Sequence, residues 1–146
     1  EKKHMLVTQI SVSLENVPGA LMNISEILGR EGVNIRAISV ADTSDISTVR
    51  FVVDDPAKAI NILKGNGYAP RETQVLAVET PDHPGGLIAV LKPLRSSGIN
   101  VHYLYPHLGR ISNNAIVILG VDNTEEAQKV LQQNWVRTLG KEVYSI

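Results

Sequence analysis

The chain has 146 residues, of which 43% are hydrophobic and 20% are charged, and its formal net charge is −1. A charge this close to zero gives no electrostatic support for binding to nucleic acid or to an acidic membrane surface. The chain contains no cysteine, which excludes disulfides, thiolate nucleophiles and thiolate metal sites, and the sequence predicts a cytoplasmic protein without a signal peptide or a membrane helix.

The first half of the chain predicts the element order β-α-β-β-α-β after a polar, frayed start at residues 1–5. Residues 6–14 alternate apolar and polar side chains, which indicates a strand with one buried face. Asn16 and an early proline precede a helical apolar pattern, so we expect a helix that Asn16 caps and that ends at Gly32. A second helix begins at Pro56, and the other strands are predicted at residues 35–40, 48–53 and 68–73.

The second half repeats this order. Predicted strands lie at residues 74–80, 100–105, 114–119 and 135–144, and predicted helices at residues 84–97 and 124–133. Because almost nothing separates the halves, the last strand of the first can run directly into the first strand of the second. Pro93 lies inside a predicted helix, where proline removes a backbone hydrogen bond and clashes with the preceding turn, so we expect a bend or an early end there.

Two short motifs show that the repetition is a duplication. Asn-Val-Pro-Gly-Ala-Leu at residues 16–21 returns 66 residues later as Asp-His-Pro-Gly-Gly-Leu, and Gly-Val-Asn-Ile at residues 32–35 returns at the same offset as Gly-Ile-Asn-Val. Such a period is too long for a solenoid repeat and long enough for a small domain. We predict an α+β protein with two ferredoxin-like βαββαβ domains, residues 1–73 and 74–146, each with two helices on one face of an antiparallel sheet.

The motifs also mark candidate binding elements. A Pro-Gly turn before a helix leaves the first backbone N–H groups open, and the partial positive charge of a helix N-terminus suits a carboxylate or a phosphate. Asn34 and Asn100, at the starts of the second strands, each carry an acceptor and two donors, enough to bond an ammonium and a carboxylate. The alternative is purely structural, with Asn16 and Asp82 capping helices.

An Asn/Asp-x-Pro-Gly-x-Leu loop, a helix and then Gly-x-Asn-Ile/Val resemble the ACT domain, and two such modules fill almost the whole chain, as in small stand-alone tandem ACT proteins. The resemblance implies a non-catalytic regulatory protein without a cofactor. It implies an amino acid bound at the helix N-terminal loops and at domain or subunit interfaces, where one module supplies the loop and its neighbour contributes from the second-strand edge. The partner would be a regulated enzyme or another regulator. The implied ligand-binding residues are Asn16, Val17, Pro18, Gly19, Ala20, Asn34 and Ile35 in the first copy, and Asp82, His83, Pro84, Gly85, Gly86, Leu87, Asn100 and Val101 in the second.

The second copy departs from the first in its loop and in one turn. Gly86 and His83 replace an alanine and a valine, and the long turn at residues 105–114 has no counterpart. An ionised Asp82 would repel a ligand carboxylate, so we expect the two sites to be unequal.

Two other functions stay open. A small ferredoxin-like enzyme of the acylphosphatase type would need an arginine in the loop after the first strand, and neither loop contains one. A structural adaptor would bind no ligand at its loops. The histidines and carboxylates show no metal-ligand spacing, so we expect no metal site.

Residues 114–119 are apolar on both faces, whereas an antiparallel strand with one wet face alternates. We therefore expect the second face of the sheet to be at least partly covered, by the partner domain or by another subunit, and the protein to form a homodimer.

Overall fold

The computed structural model describes residues 6–146, so the predicted fraying of residues 1–5 lies outside the described part. Two compact units are formed, a first unit of residues 8–73 and a second unit of residues 6–7 and 74–146. None of the helices in residues 6–146 is long and apolar enough to cross a membrane. The elements are β1 (Leu6–Glu15), α1 (Ala20–Arg30), β2 (Ile35–Asp42), β3 (Ile46–Val53), α2 (Pro56–Gly65), β4 (Arg71–Thr80), α3 (Ile88–Ser96), β5 (Val101–Ile111), β6 (Asn114–Val121), α4 (Thr124–Gln133), β7 (Thr138–Leu139) and a 3₁₀ helix (Lys141–Tyr144).

The predicted α+β, ferredoxin-like fold is confirmed. In the first unit, β3 pairs antiparallel with both β1 and β2, and Phe51 lies opposite Ile10 on one side and Ile38 on the other. In the second unit, β6 lies between β5 and β4, and β7 pairs antiparallel with the other edge of β4. The second unit thus has the strand order of a split βαβ unit, and the first three strands of the first unit follow the same order.

Each unit has one core, built by both of its helices and one face of its sheet. The two helices of a unit contribute to the same buried cluster, so they lie on the same face, as predicted. Core positions of the two units correspond through the duplication, at an offset of 66 before the β5–β6 hairpin and of 68 after it. Corresponding buried pairs are Ile10 and Leu76, Ile24 and Val90, Leu28 and Leu94, Val49 and Val117, Phe51 and Leu119, and Leu63 and Leu131.

Strand β6 is buried on both of its faces. Val117 and Leu119 belong to the core under the helices, while Ile116 and Ile118, which point to the opposite face, are also buried. The second face of this strand is therefore covered, as predicted, while the homodimer stays a prediction.

The strands at the ends of the two copies differ from the prediction. The last strand of the first copy begins at Arg71 because Pro70, which has no N–H, cannot donate to a neighbouring strand. It then continues without a break to Thr80, as the short separation of the halves suggested. The predicted closing strand at residues 135–144 is wrong beyond β7, because Gly140 donates to the Glu142 carboxylate at 2.7 Å and the chain turns into the 3₁₀ helix.

The second copy also differs in its hairpin and its first helix. The expected turn at residues 105–114 is mostly strand, since β5 continues to Ile111 with an irregular register between Pro106 and Arg110. Helix α3 begins at Ile88 and runs through Pro93 to Ser96, so the expectation of an early end at the proline is wrong. The helix closes as α1 does, by a bond from the N–H of the third residue after the helix to a carbonyl in its last turn, here from Ile99 to Leu94 at 2.9 Å.

Helices α2 and α4 end in the same way but with different residues. After α2, Gly67 has a φ of 88°, and the N–H of Tyr68 donates to the carbonyl of Leu63. At the corresponding position after α4, Trp135 has a φ of 64°. A side chain in this left-handed conformation costs about 1–2 kcal/mol, and Trp135 is 95% exposed, so burial offsets almost none of that cost.

We therefore expect Trp135→Gly to raise the free energy of unfolding by about 0.5–1 kcal/mol, the relieved strain less the larger backbone entropy of glycine. Urea unfolding followed by circular dichroism measures this directly. The matched control is Gly67→Ala, which has open space around its Cβ and should lose about 1 kcal/mol through the backbone alone. If Trp135→Gly instead lowers the free energy of unfolding, the indole contributes contacts that stabilise the folded state, and the prediction is wrong.

Candidate functional site

A tight turn connects the first strand of the first unit to α1. The N–H of Ala20 donates to the carbonyl of Val17 at 3.3 Å, and Gly19 has a φ of 88°, which makes a type II turn with proline and glycine at its centre. The N–H groups of Gly19, Leu21 and Met22 have no hydrogen-bond partner among residues 6–146. The predicted open amides are therefore present at this helix start.

The second unit has the same turn in a more crowded form. The N–H of Gly86 donates to the carbonyl of His83 at 2.9 Å, and Gly85 has a φ of 81°. A Cβ at Gly86 would lie 2.0 Å from the carbonyl oxygen of Pro81, so the alanine found at this position in the first copy cannot be accommodated. The hydroxyl of Thr80 also donates to the carbonyl of Gly86 at 3.2 Å, which holds the turn against the end of β4.

Fewer amides are open in this second turn. The N–H groups of Gly85 and Leu87 have no partner within the described part of the chain. The N–H of Ile88, however, donates to the carbonyl of Gly85 at 3.0 Å. The first unit thus offers three amides to a ligand and the second unit offers two.

The first and second helices of each unit differ in how they begin. Helices α2 and α4 are capped by the side chains of Asp55 and Asn123, which accept from backbone N–H groups at 3.2 and 3.1 Å. Helices α1 and α3 have no side-chain cap and no acidic residue in the first turn. The positive end of the dipole is therefore uncompensated at α1 and α3, where an anion would be stabilised.

Asn16 does not cap α1, so that prediction is wrong. The Pro-Gly turn separates it from the helix, and Gly19 occupies the cap position. The side-chain amide of Asn16 instead donates to the carbonyl of Thr43 at 3.1 Å and to Asp42 at 3.4 Å, while its backbone N–H donates to the carbonyl of Asp45. Asn16 therefore holds the loop against the turn between β2 and β3.

Asp82 likewise contacts a hairpin. Its carboxylate lies 2.6 Å from Nη2 of Arg110, which also donates to the carbonyl of Asn113 at 2.9 Å. The isolated negative charge on which the expected inequality was based is therefore neutralised by a partner. Sequence reasoning missed this contact of Arg110 with Asp82. One feature of the sequence could have indicated it, because the longer hairpin that carries Arg110 occurs only in the copy whose loop has an acidic residue.

Asn34 and Asn100 are held by their backbones, which leaves their side chains exposed. The N–H of Asn34 donates to Asp54 at 2.9 Å, and the N–H of Asp54 donates back to the carbonyl of Asn34 at 3.0 Å. Asn100 and Asp122 form the same pair, at 3.3 Å in both directions. Sequence reasoning did not assign these aspartates a role. The Val-Asp dipeptide that recurs in both copies could have indicated it.

The two asparagine side chains differ slightly in their surroundings. The side-chain amide of Asn34 has no partner among residues 6–146, whereas that of Asn100 lies 3.5 Å from Nδ1 of His102. Ile35 and Val101, which follow the two asparagines, are half-buried against the cores.

Within one unit, the loop and the asparagine are not brought together. Glu15 at the end of β1 lies opposite Ile46, whereas Ile35 at the start of β2 lies opposite Val53. These positions are separated by the length of β3, roughly 23 Å for a rise of about 3.3 Å per residue. One small ligand cannot contact both elements of the same unit.

Exposed aliphatic side chains flank both loops at corresponding positions. Leu21 and Met22 are 40% and 64% exposed, and Leu87 and Ile88 are 41% and 61% exposed. Val17 and His83, in the turns themselves, are exposed as well. No group of three or more histidine or acidic side chains that could hold a metal occurs in residues 6–146.

Comparison with known proteins gives a family and structural relatives. A family model described as an ACT domain pair matches residues 5–144. The structure of protein BT0572 from Bacteroides thetaiotaomicron is similar, with 32% identity and a TM-score of 0.90 over 97% of this chain and 98% of that one. No curated protein matches the sequence significantly.

More distant structures share the fold. The ligand-free regulatory subunit of aspartate kinase from Thermus thermophilus has 16% identity and a TM-score of 0.64, over 89% of this chain and 94% of that one. The corresponding subunit from Thermus flavus has 16% identity and a TM-score of 0.58, over 88% and 92%. Because the family model covers nearly the whole chain, this protein belongs to the ACT domain pair family.

Proposed function

We propose that this protein is a non-catalytic regulator that binds a free amino acid through the starts of α1 and α3. The observation that supports this most directly is the contrast in capping, since the second helix of each unit has a side-chain cap and the first has none. A ligand carboxylate can accept from the open amides of Gly19, Leu21 and Met22 and interact with the helix dipole. The open amides of Gly85 and Leu87 would serve the second site.

The ammonium group of the ligand would be bound by Asn34 or Asn100. Each side-chain oxygen can accept a hydrogen bond from an ammonium, and both side chains are exposed. Since the loop and the asparagine of one unit are far apart, each site needs the asparagine of a neighbouring ACT module. We propose that a second subunit supplies it in a homodimer, and that the exposed aliphatic residues beside the loops are buried there.

The proposed output is the regulation of an enzyme or of another regulator. The Thermus proteins that share this fold are regulatory subunits of aspartate kinase. A ligand bound across two subunits would stabilise one arrangement of the dimer, and that is how a binding event can be transmitted to a partner.

Amino-acid binding is first identified by a thermal-shift screen, since a ligand that binds only the native state raises its apparent stability. For the amino acid found, titration calorimetry should show that Asn34→Ala or Asn100→Ala binds about ten- to a hundredfold more weakly, the cost of losing a hydrogen bond to a charged group.

The control for this titration is Asn61→Ala, which removes an exposed asparagine from α2 and should bind like the wild type. If Asn34→Ala and Asn100→Ala both bind like the wild type, the ligand lies elsewhere and the site assignment is wrong.

The pair of Asp82 and Arg110 should control the second site. We expect Arg110→Gln to weaken binding there by about threefold to tenfold, because the exposed carboxylate then repels that of the ligand. Asp82→Asn combined with Arg110→Gln should restore it. Both side chains are about half exposed, so the free energy of unfolding should change by less than about 1 kcal/mol.

Arg95→Gln makes the same change in charge at the other end of α3 and serves as the control. Equal affinities in Arg110→Gln and Arg95→Gln would show that the charge of Asp82 does not act on the ligand.

The homodimer is tested by sedimentation equilibrium at micromolar concentration, where we expect twice the 15.9 kDa of one chain. Met22→Lys with Ile88→Lys should shift the equilibrium to monomer, because each substitution places a charge in the proposed interface. Both side chains are largely exposed, so the monomer should stay folded. A monomeric wild-type protein would contradict the proposed dimer.

A further inference from the structure

Helices α2 and α4 end in the same cap, which an asparagine side chain closes. The side-chain amide of Asn66 donates to the carbonyl of Ile62 at 2.8 Å. The side-chain amide of Asn134 donates to the carbonyl of Val130, also at 2.8 Å. The backbone angles of the two asparagines agree as well, with φ of −105° and −106° and ψ of 14° and 21°. The two caps therefore hold their asparagines in one geometry.

The residue that follows the asparagine differs between the two caps. Gly67 follows Asn66, and this is the only Asn-Gly pair in the chain, whereas Trp135 follows Asn134. The N–H groups of Gly67 and Trp135 each donate to a carbonyl of the last helical turn at 3.2 Å. Asn66 and Gly67 are both exposed, and no atom crowds the position of a Cβ at Gly67. The caps thus match in geometry and differ in the bulk beside the backbone nitrogen after the asparagine.

That bulk decides how readily an asparagine loses its side-chain amide. The backbone nitrogen of the next residue gives its proton to a base in the solvent and attacks Cγ of the asparagine. A C–N bond forms, the side-chain nitrogen leaves as ammonia after taking up a proton, and a cyclic succinimide results. Water then adds to either carbonyl of the ring and opens it to aspartate or to isoaspartate. Glycine favours the attack because it has no Cβ to obstruct ring closure and the widest freedom of its backbone.

The cap must open before this reaction takes place. With ψ of Asn66 at 14°, the N–H of Gly67 donates to the carbonyl of Lys64 and is not directed at the asparagine side chain. Attack on Cγ requires rotation about ψ and release of the bonds to Lys64 and Ile62. The exposed last turn of a helix opens at little cost in free energy, and Gly65, the last residue of α2, has no side chain to anchor it.

We infer that Asn66 is a site of spontaneous deamidation in the folded protein, and that Trp135 prevents the same reaction in the matching cap of α4. The product carries a carboxylate at the C-terminal end of α2, where the helix dipole disfavours a negative charge. An ionised carboxylate cannot donate to the carbonyl of Ile62, so the cap is lost with the amide. The modification therefore loosens the end of α2. It involves neither helix-start loop, so it stands independently of the function proposed above.

The test incubates the full chain at mildly alkaline pH and maps its proteolytic peptides by mass spectrometry. The peptide that contains Asn66 should gain the mass difference between an amide and a carboxylic acid, while the peptide that contains Asn134 stays unchanged. A parallel sample in urea reports the reaction without the fold. If Asn66 reacts in urea but keeps its amide in the folded protein, the cap protects it completely and the inference is wrong.

Two variants test the role of the following residue. Trp135→Gly creates a second Asn-Gly pair in the matching cap, so Asn134 should then lose its amide as Asn66 does. Gly67→Ala should suppress the loss at Asn66, although the strain of alanine at a positive φ loosens the turn. A slower reaction in Gly67→Ala therefore reports obstruction of the attack and not a more stable cap. Unchanged loss at Asn66 in Gly67→Ala, or an intact Asn134 in Trp135→Gly, would overturn the inference.

The consequence for the fold is measured on Asn66→Asp, which carries the charge of the product on an unaltered main chain. Its midpoint of thermal unfolding should lie roughly 3–6 °C below that of the wild type, because the cap bond is lost and the charge opposes the helix dipole. The control is Asn61→Asp, which places the same charge at an exposed position within α2 and leaves the cap intact. Equal midpoints in the two variants would show that the end of α2 does not depend on the amide, contrary to the inference.

Discussion

The left-handed glycine of the Pro-Gly turn is the constraint on which the candidate site depends. Because Gly19 and Gly85 adopt positive φ, the chain reverses directly after the first strand and the helix begins without a residue that can cap it. The preceding polar residue is displaced from the helix and contacts the neighbouring hairpin instead. One local conformation thus leaves backbone amides open and also anchors the loop that presents them.

Much of the fold could be predicted because the duplication repeats the apolar pattern at an offset of 66 before the β5–β6 hairpin and of 68 after it, so an observation made in one copy constrains the other. The prediction fails where the copies differ. The extended β5–β6 hairpin contains Pro106 and Gly109, residues that normally indicate a turn, although the ladder continues around them with an irregular register. The two-residue β7 could not be foreseen either, because its end depends on a hydrogen bond that the Glu142 carboxylate accepts from the N–H of Gly140.

The loops and asparagines of the candidate site could be predicted from the sequence, but the residues that contact them could not. Turn chemistry and spacing are local, so the Pro-Gly loops and the two asparagines could be read from short motifs. Whether Asn16 caps a helix or contacts a hairpin depends on a residue 27 positions away, and Asp82 meets an arginine 28 positions away. Such pairings are set by tertiary structure, and one sequence contains no direct record of them.

The two units agree in their packing and differ at their surfaces. The buried positions correspond pair by pair, whereas the position of Asn16 holds Asp82 in the second unit and that of Gly67 holds Trp135. A side-chain cap at α1 would stabilise the protein permanently by about 1 kcal/mol, but it would occupy the amides that a ligand needs. In the proposed function, the open amides would transfer that stabilisation to the bound state, where a ligand at a hundred times its Kd adds about 2.7 kcal/mol. In the proposed function, the uncapped helix would make stability depend on the ligand, and a regulatory domain requires such a dependence in order to respond to a concentration.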